Sequence, residues 1–309
     1  MSFAVSVVLP SHNPRGDFLD LVLDALRNQT LSTSQWELIV VDNHSNQPLA
    51  DLLNLTWHPS ATILREEKLG LTRARLAGFG RAQANLIVLV DDDNILTPNY
   101  LAEVLRIASK FPFLGTWSGQ VELKLENPDH PPPQQLSHLL CERRIVAPVW
   151  SSDPQHIAAT PWGAGMCVRR EVMDAYVEAT RTNPRRLQLD LQGKALTYGG
   201  DSDIAYIGCS MGFGMGVFPE LKIIHLIPES RCTLDYLLRN LEAHAYSEVL
   251  HHWVAVGVIP RARSDLKGKL GNWVRWLLSD PLQRRIVESK ERGLRKAREE
   301  LAGRPTVAQ

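Results

Sequence analysis

The sequence has few cysteines, and none of them are paired. Cys141, Cys167, Cys209 and Cys232 lie far apart, and no two of them form a Cys-x-x-Cys motif. This spacing is typical neither of a zinc site nor of a disulfide framework, so reduced thiols are expected. None of the four lies in a setting that activates a thiolate, so the sequence does not predict covalent catalysis through cysteine.

A secretion signal and a membrane-spanning run are also missing. Residues 1–10 do not combine a basic stretch with the long apolar core of a signal peptide. No window approaches the roughly 20 apolar residues that a transmembrane helix needs. We therefore expect a cytoplasmic protein, with peripheral contact at the inner face of the membrane as the alternative.

Neither sign of charge is in excess. Lysine plus arginine and aspartate plus glutamate each number 34, so the formal net charge is zero. A neutral chain has no overall field that attracts nucleic acid or an acidic membrane, so no nucleic-acid partner is predicted. At 309 residues, 44% of them hydrophobic, the chain can still bury a large core.

Two glycine-rich phosphate-binding loops are absent. No G-x-G-x-x-G follows the first predicted strand, and G-x-x-x-x-G-K-[ST] occurs nowhere in the sequence. A bound phosphate must then be held by other groups, which favours a metal ion.

The first third of the chain contains apolar runs separated by helical spacing. These predict strands at 3–9, 36–41, 61–64 and 86–90, with helices at 17–29 and 70–84 between them. A β-α-β-α-β order implies right-handed crossovers and a parallel sheet. The predicted fold class is therefore α/β, with a Rossmann-like, mostly parallel central sheet flanked by helices.

The same alternation continues farther along the chain. Strands are predicted at 115–123 and 221–228, and helices at 98–110, 234–253 and 281–302. The proline-rich residues 126–135 predict a loop, because proline fits neither a helix interior nor a central strand.

Three consecutive acids, Asp91, Asp92 and Asp93, follow the strand at 86–90 directly. Open α/β sheets place their ligand crevice at the carboxyl ends of the strands. Carboxylates this close repel one another unless a cation lies between them, and hard oxygen ligands favour Mg²⁺ or Mn²⁺. Such an ion would be well placed to hold a diphosphate. The alternative is a solvated turn that leads through residues 94–98 into a helix.

A turn of small residues follows Trp162, formed by Gly163, Ala164 and Gly165. Small residues let a ligand approach the backbone closely, and the indole offers a surface for a sugar ring. The alternative is a tight turn beside a core tryptophan.

Two further acids, Asp201 and Asp203, begin a predicted helix after Gly199 and Gly200. A carboxylate at this position is stabilised by the helix dipole and can cap the helix, which explains one acid better than both. His225 lies in an apolar strand, where a core histidine is the commoner outcome.

Near its end the chain carries a charged helix with one narrow apolar stripe. Val287, Leu294 and Leu301 recur every seven residues, which suits docking on the main domain or on a helix of a partner, including a second copy. The preceding stretch carries two tryptophans and three basic residues that favour membrane contact as the alternative: Trp273, Trp276, Lys267, Lys269 and Arg275.

Taken together, these motifs resemble the family 2 inverting glycosyltransferases of the GT-A fold over roughly residues 4–240. Residues 5–13 are similar to the opening strand and nucleotide loop of that family, and residues 70–78 are similar to its G-x-x-x-A-R-x-x-G helix. Residues 91–93 look like its DxD motif. The resemblance implies a nucleotide-sugar glycosyltransferase domain over 1–240 and a helical C-terminal extension over 241–309.

The resemblance also implies roles for individual residues. It places the nucleotide-sugar donor against Pro10, Asn13, Asp42, Arg75, Asp91, Asp92 and Arg231, with Asp42 pairing with the base and Asp91 reaching the ribose. It assigns the metal to Asp93, with His225 completing the site, and the sugar or acceptor pocket to residues 162–165. Asp201 matches the catalytic base. Because the family's usual glutamate is replaced by Gly200, Asp203 is the fallback base.

The implied reaction is a metal-dependent transfer of a sugar from a nucleoside-diphosphate donor, foremost a UDP-sugar, to a hydroxyl of a glycan, polysaccharide or lipid-linked acceptor. A carboxylate base takes the proton of the acceptor, and a Mg²⁺ or Mn²⁺ ion stabilises the leaving diphosphate. A single displacement then inverts the anomeric centre.

Three alternatives to this reaction remain. One is a nucleotidyltransferase, which makes sugar nucleotides, and another is a non-catalytic module that binds them. The third is an aspartyl phosphotransferase, although Ile95 stands where its motif needs threonine.

Overall fold

The computed structural model of the chain describes residues 3–191, 196–259, 280–302 and 304. The basic and tryptophan residues between 267 and 276, for which membrane contact is the alternative prediction, lie outside the described residues. Among the described residues, no helix has the length and apolar character needed to cross a membrane.

Nine strands form one sheet, with helices on both sides of it. The strands are β1 Val5–Ser11, β2 Trp36–Asp42, β3 Ala61–Arg65, β4 Leu86–Leu89, β5 Asn94–Leu96, β6 Leu114–Leu125, β7 Val149–Ser151, β8 Cys167–Arg169 and β9 Gly214–Ile227. The helices are α1 Gly16–Arg27, α2 Leu49–Leu52, α3 Leu71–Arg81, α4 Tyr100–Lys110, α5 Arg170–Thr182, α6 Gly200–Ser210, α7 Leu234–Val256 and α8 Pro281–Leu301. Short 3-10 helices cover Gln134–Leu140, Ile157–Ala159, Pro184–Gln188 and Glu229–Cys232.

The sheet is mixed, and its first half is parallel. The strand order is β3-β2-β1-β4-β8-β6-β9-β5, with β7 paired to β9. Strands β3, β2, β1 and β4 are mutually parallel, as are β6 and β9. Strand β8 runs antiparallel to both β4 and β6, and β5 and β7 run antiparallel to β9. The predicted α/β class, with a mostly parallel central sheet flanked by helices, is confirmed.

Both faces of the parallel half are buried, which explains its continuous apolar runs. Successive residues of a strand point to opposite faces, and Val7 and Val8 of β1 accordingly belong to different hydrophobic cores. On the Val8 side, α3 lies very close to the sheet. A Cβ at Gly78 would overlap the Val8 side chain and lie 3.2 Å from Val41 Cγ2. Glycine at this position therefore brings α3, and with it Arg75, close to the ends of β1 and β4.

The C-terminal helix α8 docks on α7 of the same chain. Its buried face consists of Ser289, Gly293, Ala297 and Leu301, spaced four residues apart. A Cβ at Gly293 would overlap the backbone oxygen of Glu242, so close packing of the two helices selects small residues. Of the predicted stripe, Leu301 is buried and the half-buried Leu294 packs against the same cluster, while Val287 is half-buried. Pairing with a second copy stays a prediction.

The predicted boundary at residue 240 falls inside α7. This helix runs unbroken from Leu234 to Val256, and its N-terminal part packs on the strand end at Ile227. Its C-terminal part packs with α8 through Trp253 and Leu301. One helix thus joins the sheet domain to the C-terminal extension.

Candidate active site

One large cavity, of about 920 Å³, opens at the carboxyl ends of β1 and β4. Aspartates from three separate segments line it: Asp91, Asp92 and Asp93 after β4, Asp190 before α6, and Asp201 within α6. Its far wall is formed by α7 and one residue of α8, Lys290. Asp93 and Asp201, which are 108 positions apart in the chain, therefore share a single hollow.

Asp93 is held as a carboxylate by two neighbouring side chains, Arg231 and His225. Its Oδ2 atom lies 2.9 Å from Arg231 Nη1 and 3.5 Å from His225 Nε2, while Asn94 Nδ2 donates to Oδ1 at 2.7 Å. Burial alone would raise the pKa of Asp93, but the hydrogen bond and charge of His225, with Arg231, outweigh it and lower the pKa below its ordinary value. Asp93 is thus ionised and directed into the cavity.

The other two acids of the triplet, Asp91 and Asp92, both have raised pKa values, in contrast to Asp93. Burial raises the pKa of Asp92 to about 7, and the neighbouring Asp93 adds to the shift, although Ser11 donates a hydrogen bond to Asp92. Burial also raises the pKa of Asp91, which Arg75 partly offsets. A cation bound beside these carboxyls would lower their raised pKa values, because a nearby positive charge favours the ionised form.

The donor set around Asp93 fits a divalent cation that is shared with a substrate. His225 Nδ1 lies 3.2 Å from the backbone oxygen of Leu140. A carbonyl oxygen only accepts, so Nδ1 carries the hydrogen, and a neutral imidazole would offer the lone pair of Nε2 to a cation bound beside Asp93. Among the described residues, no three His, Cys, Asp or Glu side chains form a closed metal cage. Mg²⁺ and Mn²⁺ often complete their coordination with water and substrate phosphates, so two protein ligands suffice.

Arg75 connects the acid triplet to the rest of the site. Its guanidinium is buried; Nη1 lies 3.0 Å from Asp190 Oδ2, and Nη2 lies 3.7 Å from Asp91 Oδ1. A Cβ built at Gly163 would come within 2.9 Å of Nη2, so the small-residue turn leaves space for the arginine. This is the physical reason for glycine at that position.

Asp201 is oriented by backbone hydrogen bonds. The N–H of Gly163 donates to Oδ2 at 2.9 Å, and the N–H of Ser202 donates to Oδ1 at 2.7 Å. The carboxylate lies in the first turn of α6, where the helix dipole favours negative charge. It lines the cavity and keeps free acceptor capacity for a ligand hydroxyl.

Asp203 faces the protein interior. Its side chain is fully buried, forms an ion pair with Arg186 and lies 3.8 Å from His251 Nε2. It is not among the residues that line the cavity. Of the two predicted bases, only Asp201 is therefore placed beside the acid triplet, because two residues along a helix face opposite sides.

The nucleotide-loop residues are divided between the cavity and the interior. Pro10 lines the cavity, whereas Asp42 is buried and already accepts hydrogen bonds from Ser45 N at 2.8 Å, Leu49 N at 3.1 Å and Arg65 at 2.7 Å. Asn13 takes a positive φ of 48°. It fixes the loop by accepting a hydrogen bond from the backbone N–H of residue 46. The predicted contact of Asp42 with a base stays a prediction.

The turn at residues 162–165 lies at the cavity wall. Trp162, Gly163 and Ala164 line the cavity, and the guanidinium of Arg143 stacks over the indole of Trp162 at 3.9 Å. Gly165 has a φ of 70°, and a Cβ there would overlap the hydroxyl of Tyr100. The first three residues are thus available to a ligand, while Gly165 is required by packing.

Several lining residues have no counterpart in the sequence predictions. The far wall contains a stacked pair, Tyr198 and His244, with ring centroids 4.0 Å apart and planes 5° from parallel. Asn43 and Asp190 also line the cavity. The one local signal for Asp190 is an acid between two leucines, which marks a buried carboxylate but not its partners.

The chain is similar to one family model and to several known proteins, of which two relatives illustrate the similarity. Residues 6–154 match the family model described as "Glycosyl transferase family 2". An "N-acetylglucosaminyltransferase" of Rhizobium sp. (strain N33) is 23% identical over 239 residues, which cover 73% of this chain and 49% of the relative. The "Poly(ribitol-phosphate) beta-N-acetylglucosaminyltransferase TarP" of Staphylococcus aureus (strain N315) is 26% identical over 104 residues, which cover 32% of this chain and 31% of TarP. The chain spans less than half the length of either relative.

The crystal structure of residues 1–349 of S. aureus TarS is similar in fold. It superposes with a TM-score of 0.51 at 11% identity and covers 98% of this chain and 93% of the TarS chain. At this identity the likeness concerns the fold alone. It extends through the helices that follow the sheet, in agreement with the predicted helical C-terminal region.

Proposed function

We propose that this chain, whose residues 6–154 match the family 2 glycosyltransferase model, transfers a sugar from a nucleoside-diphosphate donor to an acceptor hydroxyl, with inversion and with a divalent cation. The main support is the convergence of Asp93 and Asp201 on one cavity. One group suits the leaving diphosphate and the other suits the proton of the acceptor, which are the two requirements of a single displacement.

On the donor side, the diphosphate would lie against the acid triplet and Arg231. Asp93 and His225 would hold a Mg²⁺ or Mn²⁺ ion, whose charge would stabilise the developing negative charge of the leaving group. Arg231, 2.9 Å from Asp93, adds a fixed positive charge at the same place. Both relatives are named for N-acetylglucosamine transfer, so UDP-N-acetylglucosamine is the first donor to test.

On the acceptor side, Asp201 is the base. Two backbone N–H groups hold its carboxylate at the cavity wall, so no reorientation is needed when it takes the proton of the hydroxyl. The stacked Tyr198 and His244 lie on the wall built from α7, and aromatic faces suit the apolar faces of sugar rings. We therefore place the glycan or lipid-linked acceptor between Asp201 and α7.

A thermal-shift experiment tests the donor side directly. The chain is heated with UDP alone, with Mn²⁺ alone and with both, and Mg²⁺ and the other nucleoside diphosphates serve as comparisons. We expect UDP and Mn²⁺ together to raise the melting temperature by more than the sum of their separate effects, because each completes the site of the other. The Asp93→Asn variant should lose this excess; because it also loses the ion pair with Arg231, the shifts are measured from its own lower melting temperature without ligands.

Product analysis distinguishes transfer from the alternatives. With UDP-N-acetylglucosamine, Mn²⁺ and a glycan acceptor, we expect release of UDP and no pyrophosphate, and EDTA should stop the release. Pyrophosphate as the product would indicate a nucleotidyltransferase. UDP that binds equally well with and without any divalent ion would contradict the proposed cation.

A further inference from the structure

Arg75 is a buried cation whose position depends on one acid. Its side chain is 4% exposed, and its Nε has no hydrogen-bond partner among the described residues. Two carboxylates face it, but only Asp190, at 3.0 Å, lies within hydrogen-bond distance, whereas Asp91 lies at 3.7 Å. A buried charge requires a bonded partner, so the direction of the Arg75 guanidinium is set by Asp190.

Asp190 is held by several groups at once. Thr72 Oγ1 donates to Oδ2 at 2.9 Å, Arg75 donates to the same oxygen, and the backbone N–H of Gly200 also favours the ionised carboxyl. Burial raises the pKa of Asp190 to about 6, with Asp201 adding to the shift and Arg75 opposing it. Burial of a carboxylate is unfavourable unless hydrogen-bond donors surround it, and the donors around Asp190 fix its orientation.

The Asp190 carboxylate fills the space that a side chain at position 200 would need. A Cβ built on Gly200 would overlap Asp190 Oδ2 and lie 2.5 Å from Asp190 Cγ. The glycosyltransferase resemblance leads us to expect glutamate at position 200, where this chain has glycine. An acid from the segment before α6 therefore stands where an acid on α6 would otherwise stand.

We propose that Asp190 is a positioning residue of the donor site: it takes the place of an acidic side chain at position 200 and holds Arg75 between Asp91 and the Gly163 turn. The inference rests on the proposed function, because its main effect is read in donor binding and turnover. Arg75 Nη2 lies where the acid triplet and the Gly163 turn meet, and the N–H of Gly163 holds Asp201. Asp190 thus acts on the donor side through Arg75 and reaches the base Asp201 only through the backbone of Gly163.

Relocating the carboxylate tests the proposal. Asp190→Gly should raise the donor KM and lower turnover at least tenfold, because Arg75 loses its bonded partner. Gly200→Glu should lower stability and activity, since two carboxylates would then compete for one space. In Asp190→Gly/Gly200→Glu the acid returns to the same place from α6, and we expect at least a tenfold recovery of turnover over Asp190→Gly. The double variant Asp190→Gly/Gly200→Asp tests whether a shorter acid at position 200 also restores turnover.

Two readouts separate positioning from simple structural support. In Asp190→Asn, which keeps the shape and removes the charge, the donor KM and the dissociation constant of UDP should rise while the acceptor KM stays unchanged. A purely structural role would lower the folded fraction and leave both KM values of the folded enzyme unchanged, which would overturn the proposal. Double variants that are folded but no more active than Asp190→Gly would overturn it as well.

The test also separates this proposal from the proposed function. If the wild-type chain shows no transfer with any donor, the proposed function fails, yet the melting temperatures of these variants still report on positions 190 and 200. Gly200→Glu should then destabilise the wild type but stabilise Asp190→Gly. Additive effects of the two substitutions would show that the carboxylate does not occupy the shared space and would refute the inference.

Discussion

Replacement of Asp201 by asparagine is the sharpest test of the proposed base. The variant keeps the size of the side chain but has one acceptor oxygen for the two N–H groups that Asp201 now accepts, from Gly163 and Ser202. One lost hydrogen bond costs about 1 kcal/mol of folding stability, so the variant should remain folded. Loss of a general base, in contrast, lowers turnover by roughly 10²–10⁴-fold, or about 3–5 kcal/mol in the barrier.

Asp203→Asn is the matched control, on the same helix two residues away. Asp203 is buried against Arg186, and removal of its charge leaves that guanidinium without its partner. Breaking a buried pair costs about 3–5 kcal/mol, so this variant should unfold at markedly lower urea concentrations. Turnover of its folded fraction should stay within a few-fold of the wild type, because Asp203 does not line the cavity.

The assay measures initial rates at saturating UDP-N-acetylglucosamine, normalised to folded enzyme, and the binding of UDP by calorimetry. We expect Asp201→Asn to bind UDP like the wild type and to turn over at least a hundredfold more slowly. Wild-type turnover in Asp201→Asn would remove Asp201 from the role of base. A large loss of turnover per folded molecule in Asp203→Asn, with Asp201→Asn active, would assign the base to Asp203.

Two further predictions concern stability. Burial lowers the pKa of His58 to about 4. Between pH 6.5 and 4 the unfolded state therefore binds more protons than the folded state, and the stability of the protein decreases as the pH is lowered. Urea titrations should show that the wild type loses about 3 kcal/mol more than His58→Phe over this range; equal losses would contradict a neutral imidazole. Gly293→Leu should force α8 from α7 and cost about 1–3 kcal/mol, whereas the exposed Glu299→Leu should not. Equal melting temperatures for these two variants would contradict the close helix contact.

The parallel half of the sheet could be predicted because its pattern is local. Strands buried on both faces need continuous apolar residues, and β1, β2 and β4 contain them with helical spacing between. The antiparallel strand β8 and the short β5 and β7 could not be predicted in the same way. Each has three residues, too few for a period, and each is fixed by pairing with distant strands.

The site was predictable where a motif is contiguous and not where it depends on distant partners. The acid triplet follows a strand and lies at the cavity, whereas nothing near Asp42 in the sequence reveals that Arg65 and two backbone N–H groups donate hydrogen bonds to it. Asp190 forms its ion pair with Arg75, which lies 115 positions earlier in the chain. Only the folded chain brings these two charges together, so no local pattern encodes the contact.

The long helix α7 has a consequence for how such enzymes diversify. It begins against the sheet that carries the acid triplet, and it continues as the opposite wall of the cavity, where α8 supports it. If the first half of the chain binds the donor and this wall binds the acceptor, related enzymes can differ in acceptor specificity while they share a donor specificity. Exchanging α7 and α8 between related chains would then transplant a preference for an acceptor onto an unaltered sugar-nucleotide site.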